Sequence, residues 1–420
     1  RDSRPATTEL VDRARELRRR FQADPHRPRF HFLVPEEGEC MPADPNGAIF
    51  WKGRYHLFYI FQRRQEQEPR TVHCWGHASS VDLVHWTHHP VALDVAPADP
   101  DRGIFSGNAL LDEHGTPTLL YHGVGLGNCI ATSTDDLLLH WKKSSANPIV
   151  PIPKPGDANH GLYESWDPHG WREDSTTYAI FGGKQPALFR GSTLTNLKYV
   201  GPFLPEDRWS EPGEDVSCPD FFRLGDRHLL LCISHRRGAR YFLGRWENER
   251  FIPQSHARMN WPGGGFFAPE TLVDDRGRRI LWAWVMDERP AARRTASGWS
   301  GLMSFPRVLS LDDRRRLRIE PAEEWQRLRY DPRSLANLEL PPRTEKPISD
   351  VRGKSLAISA RFASTTARRF GLRVCQSPQN EEATTIEYDR ERGMLRVDVS
   401  RSSLDPDIRY RSWCIFRPDD

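Results

Sequence analysis

The chain has 420 residues, enough for one large domain and a smaller one, with ample apolar material for a core. Its 60 basic and 57 acidic side chains leave a net charge of +3, too small to argue for a nucleic-acid partner. Seven scattered cysteines without Cys-x-x-Cys spacing exclude a disulfide framework and a zinc site as organising devices, and no apolar run reaches the roughly 18 residues that a membrane helix needs.

Residues 1–28 open the chain as a helical extension. Leu10, Val11, Ala14, Leu17 and Phe21 form an apolar stripe, and the arginines from Arg13 to Arg20 read as its solvated face. No signal peptide precedes it, although a chain that opens on Arg1 leaves room for a processed leader; the expectation leans to an intracellular protein.

Residues 29–330 carry a repeat. Asp44-Pro45-Asn46, Ser106-Gly107-Asn108, Asp167-Pro168-His169, Cys218-Pro219-Asp220 and Ala268-Pro269-Glu270 start five units about 50 to 62 residues apart. Each start precedes an apolar run, a polar turn and a second apolar or aromatic run, as in Ala48 to Trp51, Lys52-Gly53-Arg54 and Tyr55 to Tyr59. A unit of this length that cannot bury its own faces reads as a propeller blade, so the expected fold is all-β with a five-bladed β-propeller. A second echo joins Ala78 to Trp86 with Ala131 to Trp141, and places Trp86 and Trp141 as packing anchors between blades. The first strand of each blade lines a central funnel, where Asp44 and Asp167 would converge. Paired carboxylates of that kind suggest glycosidic chemistry.

Residues 331–350, with Pro341-Pro342, form the expected linker. Strand-like runs resume over 351–420: Leu356 to Phe362, Phe370 to Val374, Thr384 to Tyr388, Met394 to Val399 and Tyr410 to Ile415. Alternation along Leu395 to Val399 reads as a β-sandwich, but with five strands it is only half built. Such a sheet leaves edges and an apolar face open, so this part is expected to be less stable than the propeller, or covered by a partner or a second copy.

The same residues resemble glycoside hydrolase family 32, the invertases and fructanases. The likeness is carried by Arg29-Phe30-His31-Phe32, Asp44-Pro45-Asn46-Gly47, Tyr55 to Tyr59, Trp75-Gly76-His77-Ala78, Asp82 to Trp86 and Phe105-Ser106-Gly107. Trp282-Ala283-Trp284, Gly298-Trp299-Ser300-Gly301 and Pro306-Arg307 extend it. The resemblance implies a five-bladed propeller followed by a β-sandwich, a carbohydrate substrate, no cofactor and no metal. It also implies a retaining mechanism on a furanoside, sucrose or fructan by default, in which two carboxyl groups lie about 5–5.5 Å apart. Asp44 falls on the family's nucleophile position and Asp167 on its transition-state stabiliser. Asn46, Phe105, Ser106, Trp166, Ser217 and Glu270 are the expected substrate contacts.

Departures from the family pattern cluster in the pocket. Ser217 stands where the family has its acid/base Glu, Trp166 where it has Arg, Ala43 where it has Asn and Ile60 where it has Gln. A serine hydroxyl cannot serve as a general acid near neutral pH. Three readings stay open: Glu214, Asp215 or Glu270 replaces the lost acid, with Asp220 a poorer candidate; the acid is dispensable; or the propeller binds sugar without cleaving it. A different furanoside, and a scaffold for protein interaction, are further alternatives. The histidines, His88, His89, His160, His169 and His235 among them, show no metal-ligand spacing on one element, though His169 at the third position of its repeat can face the funnel. Gly263 to Gly265 lacks the helix and lysine of a phosphate loop and reads as a turn into blade five.

Overall fold

A computed structural model of the chain describes residues 19, 22–34, 43–64, 71–96, 98–204, 214–260, 265–348, 350–363, 366–408 and 413–416. The leading helix falls almost wholly outside the described residues, and so do Gly263 and Gly264.

Five antiparallel sheets follow one another along the chain. Their first strands are Pro45–Trp51, Ile104–Leu111, Pro168–Glu173, Ser217–Leu224 and Phe266–Val273, so each repeat start lies at the entry to such a strand. These strands touch in a closed cycle, each meeting the next and the fifth meeting the first. Sheet five is completed from the far end of the chain. Leu33–Val34 pairs with Gly301–Met303, Leu33 opposite Leu302.

Side chains on the second strands show why both faces must be apolar. Along Arg54–Arg64, Leu57, Tyr59 and Phe61 enter one core with Leu272, Ile280 and Trp282 of sheet five. The intervening Phe58 and Ile60 enter another with Leu119 and Tyr121 of sheet two. Successive strand residues point to opposite faces, so an unbroken apolar run supplies two cores at once. The same division puts Leu230 and Cys232 against sheet three, and Leu229 and Leu231 against sheet five. A core holding Leu120, Ala179 and Phe181 joins sheets two and three. Five sheets and five shared cores close a ring, the architecture of a five-bladed propeller.

Both expected tryptophan anchors sit in these cores. Trp86 meets Trp282 edge-on at 6.1 Å, and Trp141 meets Phe58 at 5.6 Å. The two echoed segments share their turn chemistry too. Asp82 accepts the backbone N–H groups of Val84 and His85, and Asp135 those of Leu137, Leu139 and His140.

The third residue of every repeat start has one task in common: it bonds to the first strand of the next sheet. Asn46 Oδ1 accepts from Gly107 N at 3.0 Å, and Asn108 Oδ1 accepts from Gly170 N at 2.9 Å while its amide donates back to Gly170 O. His169 Nε2 donates to Phe221 O at 3.0 Å. Thr271 Oγ1 donates to Asp220 Oδ2 at 2.6 Å, and Glu270 Oε1 accepts from Ala48 N at 3.2 Å, which returns the cycle to sheet one. His169 and Glu270 are therefore links of a buried polar hoop. Close approach explains two glycines beside it: a Cβ on Gly107 would lie 1.9 Å from Leu120 O, and Gly47 has φ +55° with three side chains at 3.1 Å.

The C-terminal region differs from expectation. Among the described residues it contributes one four-stranded antiparallel sheet, Arg369–Val374, Ala383–Asp389, Met394–Arg401 and Trp413–Phe416. The run Leu356 to Phe362, expected as a strand, has no ladder partner, and Leu356, Ile358 and Phe362 are exposed. An apolar run forms a strand only when a neighbouring edge takes up its backbone groups, and the sequence pattern cannot supply that edge.

Candidate active site

The funnel mouth is built from the entries to the first strands. Four of these strands leave regular geometry there, Ile104–Leu111 with a slip at Phe105/Gly107. Further register slips occur at Asn46/Ile49, Ser217/Asp220 and Phe267/Glu270, with Gly47, Cys218 and Ala268 at φ +55°, +45° and +48°. A bulge with a left-handed residue re-aims the neighbouring backbone and side chains, at a cost of about 1–3 kcal/mol for a non-glycine. At Cys218 the result is a contact between two sheets. Its backbone N–H points across the sheet boundary and donates to Asp167 Oδ2 at 3.0 Å.

Asp44 and Asp167 are both buried and share a neighbour. The Cys218 thiol lies 3.8 Å from Asp44 Oδ2 and 3.7 Å from Asp167 Oδ2, and 3.4 Å from Ser106 Oγ. Ser106 Oγ also donates to Asp44 Oδ2 at 3.1 Å. Asp44 Oδ1 is buried and has no hydrogen-bond partner among the described residues. Burial and the nearby Asp167 push the Asp44 carboxyl up to about 7. Burial raises Asp167 as well, against the Cys218 N–H, which favours its ionised form. Burial and the two carboxylates hold the Cys218 sulfur as a thiol.

One side of the mouth is aromatic. Trp166, half-buried, packs 4.6 Å from the His122 ring and 5.9 Å from Phe105, which lies tilted 4.5 Å from His73. Such rings offer a flat apolar surface to a sugar face. Asn46 stands behind this surface: its amide bonds Asp44 O at 2.8 Å and its carbonyl holds Gly107, so it positions Asp44. Ile60 and Ala43 are fully buried, and Ile60 N donates to Asp44 O at 3.0 Å.

The acid candidates separate cleanly. Glu214 turns away into a buried ion pair, with Arg240 Nη1 at 2.6 Å and Arg237 Nε at 3.4 Å. Glu270 lies deeper, bound to Ala48 N; burial and Asp220 hold its carboxyl well above the usual range. Asp215 accepts three hydrogen bonds: from Ser217 Oγ at 2.8 Å, from His235 N at 3.0 Å and from His235 Nδ1 at 2.5 Å. Burial alone would raise it, but these donors bring it down to about 2. The structure thus brings together Asp44, Asp167, Ser106, Asp215 and Ser217, and leaves Glu214 and Glu270 outside that group.

Two residues of the mouth escape sequence reasoning. Cys218 stands out in the sequence only as part of a repeat start. His235 draws notice there only as a possible metal ligand, yet it sits beside the pair. Hairpin register carries the signal: Ser217 lies opposite Ile233, so two residues further on the chain returns to the same mouth.

Comparison with known proteins identifies the family of both parts of the chain. Residues 35–321 match the Glycosyl hydrolases family 32 N-terminal domain, and residues 324–419 match the family's C-terminal domain. The chain is 32% identical to the sucrose-6-phosphate hydrolase of Klebsiella pneumoniae over 91% of this chain and 86% of that protein. It is 30% identical to the raffinose invertase of Escherichia coli over 93% and 84% of the two chains. Among solved structures, fructan 1-exohydrolase IIa from Cichorium intybus superposes with a TM-score of 0.72 at 25% identity, covering 93% of this chain and 84% of that one.

Proposed function

The chain belongs to glycosyl hydrolase family 32, and from that premise we propose that it is a β-fructofuranosidase-type retaining hydrolase with Asp44 as nucleophile and Asp167 as stabiliser. The observation that carries this reading is the buried pair gathered around Cys218, in which Asp44 keeps one carboxylate oxygen unengaged. Asp44 Oδ1 attacks the anomeric carbon of a β-fructofuranoside and the glycosidic C–O bond breaks, which leaves a glycosyl ester on Asp44. Water then cleaves the ester and restores the carboxylate. Asp167, fixed by the Cys218 N–H, accepts sugar hydroxyls and favours the positive charge that develops on the ring. Ser106 donates to Oδ2 of the nucleophile and leaves Oδ1 without a competing donor among the described residues.

Sucrose and its relatives are the first substrates to consider, because the similar proteins are a sucrose-6-phosphate hydrolase and a raffinose invertase. Trp166 against Phe105 supplies the platform on which the sugar rests. The test is turnover of sucrose, raffinose, an inulin-type fructan and 4-nitrophenyl β-D-fructofuranoside, by the wild type and by Asp44→Asn. Cleavage that disappears in the variant supports the reading. Cleavage that survives in Asp44→Asn removes Asp44 as nucleophile, and sugar binding without any cleavage would mean a propeller turned to recognition.

A further inference from the structure

Fructoside hydrolysis needs a proton at the leaving oxygen, and Ser217 cannot give one. We propose that His235, oriented by Asp215, is the proton donor of this site. The inference rests on the reading of Asp44 as the nucleophile of a fructoside hydrolase.

Geometry carries it. His235 opens the turn Ser234 to Gly238, between the second and third strands of sheet four, at the end where Ser217 enters the sheet. Asp215 grips the residue twice, taking the backbone N–H at 3.0 Å and the ring Nδ1–H at 2.5 Å. A carboxylate on Nδ1 fixes the tautomer and turns Nε2 outward, the arrangement by which acid–base histidines are oriented. Phe267, at the entry to sheet five, packs edge-on against the ring at 5.9 Å and limits its swing. The side chain is nevertheless 62% exposed, so a sugar in the mouth can reach it. Ser217 Oγ completes the support by donating to Asp215 at 2.8 Å. The serine that replaces the expected Glu thus serves the carboxylate that orients His235.

The charged groups acting on the ring are Asp215, Asp167 and Asp44, all carboxylates, and together they favour the imidazolium and raise its pKa above the ordinary histidine value. The same cation acts back on Asp44 and Asp167 and favours their ionised forms. Proton and electron balance closes. As the anomeric C–O bond breaks, its electron pair goes to the leaving oxygen, which takes the Nε2 proton while Asp44 Oδ1 forms the new C–O bond. Neutral His235 then accepts a proton from the incoming water, whose oxygen displaces Asp44 from the sugar. One fructoside and one water become free fructose, a hemiketal, and the departed alcohol, and Asp44 and His235 return to their starting states.

The test compares leaving groups. Departure of 4-nitrophenolate needs no proton, whereas departure of glucose from sucrose does. His235→Gln is expected to lose roughly 100-fold or more of kcat/KM on sucrose, and less than about 10-fold on 4-nitrophenyl β-D-fructofuranoside. Wild-type kcat/KM on sucrose should fall on the alkaline side through the His235 ionisation, and His235→Gln should lack that limb. Asp215→Asn, a change at a positioning residue, should move the limb to lower pH, which a merely structural role would not do. Equal losses on both substrates, or an unchanged rate on sucrose, would overturn the donor assignment. A wild type that cleaves neither substrate overturns the hydrolase reading and this inference with it. A dead Asp44→Asn beside an unaffected His235→Gln overturns the donor alone.

Discussion

Replacing Asp44 with asparagine is expected to stabilise the fold above neutral pH. The folded chain holds the Asp44 proton up to about 7, against an ordinary value of 3.8, because the carboxyl is buried beside Asp167. The unfolded chain therefore ionises first as pH rises, and the folded state binds more protons between the two values. Stability falls with pH wherever that is so, hence from about pH 4 to about 7, and then levels off. At 1.36 kcal/mol per pH unit, the ionised carboxylate costs the folded state about 4 kcal/mol on the plateau. An amide carries no such penalty and keeps an oxygen for Ser106 Oγ. Urea unfolding followed by tryptophan fluorescence, run on both proteins from pH 4 to pH 9, measures the difference. It should be near zero at pH 4 and reach about 4 kcal/mol by pH 8. Parallel pH curves for the two proteins would refute the reasoning, since they would mean that Asp44 ionises alike in the folded and unfolded chains.

Ser217→Glu in the His235→Gln background should return at least about 10-fold of the lost sucrose activity, because it restores a carboxylic acid at that strand entry; kcat/KM against pH would show a new alkaline limb below that of the wild type. Asn108→Ala should cost about 2–4 kcal/mol in urea unfolding, since it leaves the buried N–H and C=O of Gly170 without partners, while KM for sucrose stays unchanged. Limited trypsin digestion should cut first within 331–363, which has no regular secondary structure among its described residues, and leave the five-sheet body intact; first cuts inside that body would count against the expected order of stability.

The ring was legible in the sequence because each of its five units opens with the same small-turn signature, and because alternate residues of one apolar run feed two cores. The polar hoop was not, although all five of its members stand at the third position of a repeat start. Asn46, Asn108, His169, Asp220 and Glu270 differ in chemistry, and only their shared direction reveals the shared role. Asp44 and Asp167 could be named because each opens a repeat start and falls on a carboxylate position of the family pattern; Asp-Pro itself recurs elsewhere, at Asp24, Asp99, Asp331 and Asp405. His235 could not be named, since what ties it to Ser217 is hairpin register rather than adjacency. The strand opens only at Ser217, so strand parity does not reach Asp215; a side-chain hydrogen bond joins the two instead, and Glu214, its neighbour, is taken by Arg240. Leu356 to Phe362 shows the limit from the other side: propensity is local, and a ladder needs a second edge.

The clasp between Leu33–Val34 and Gly301–Met303 has a consequence for biosynthesis. A chain made from its N-terminus exposes sheet one long before sheet five has been translated. Until Glu270 emerges, Ala48 N lacks the acceptor that it has in the finished hoop, and Leu57, Tyr59 and Phe61 lack the sheet that covers them. A ribosome stalled before residue 300 would therefore hold an open arc with one sticky apolar face.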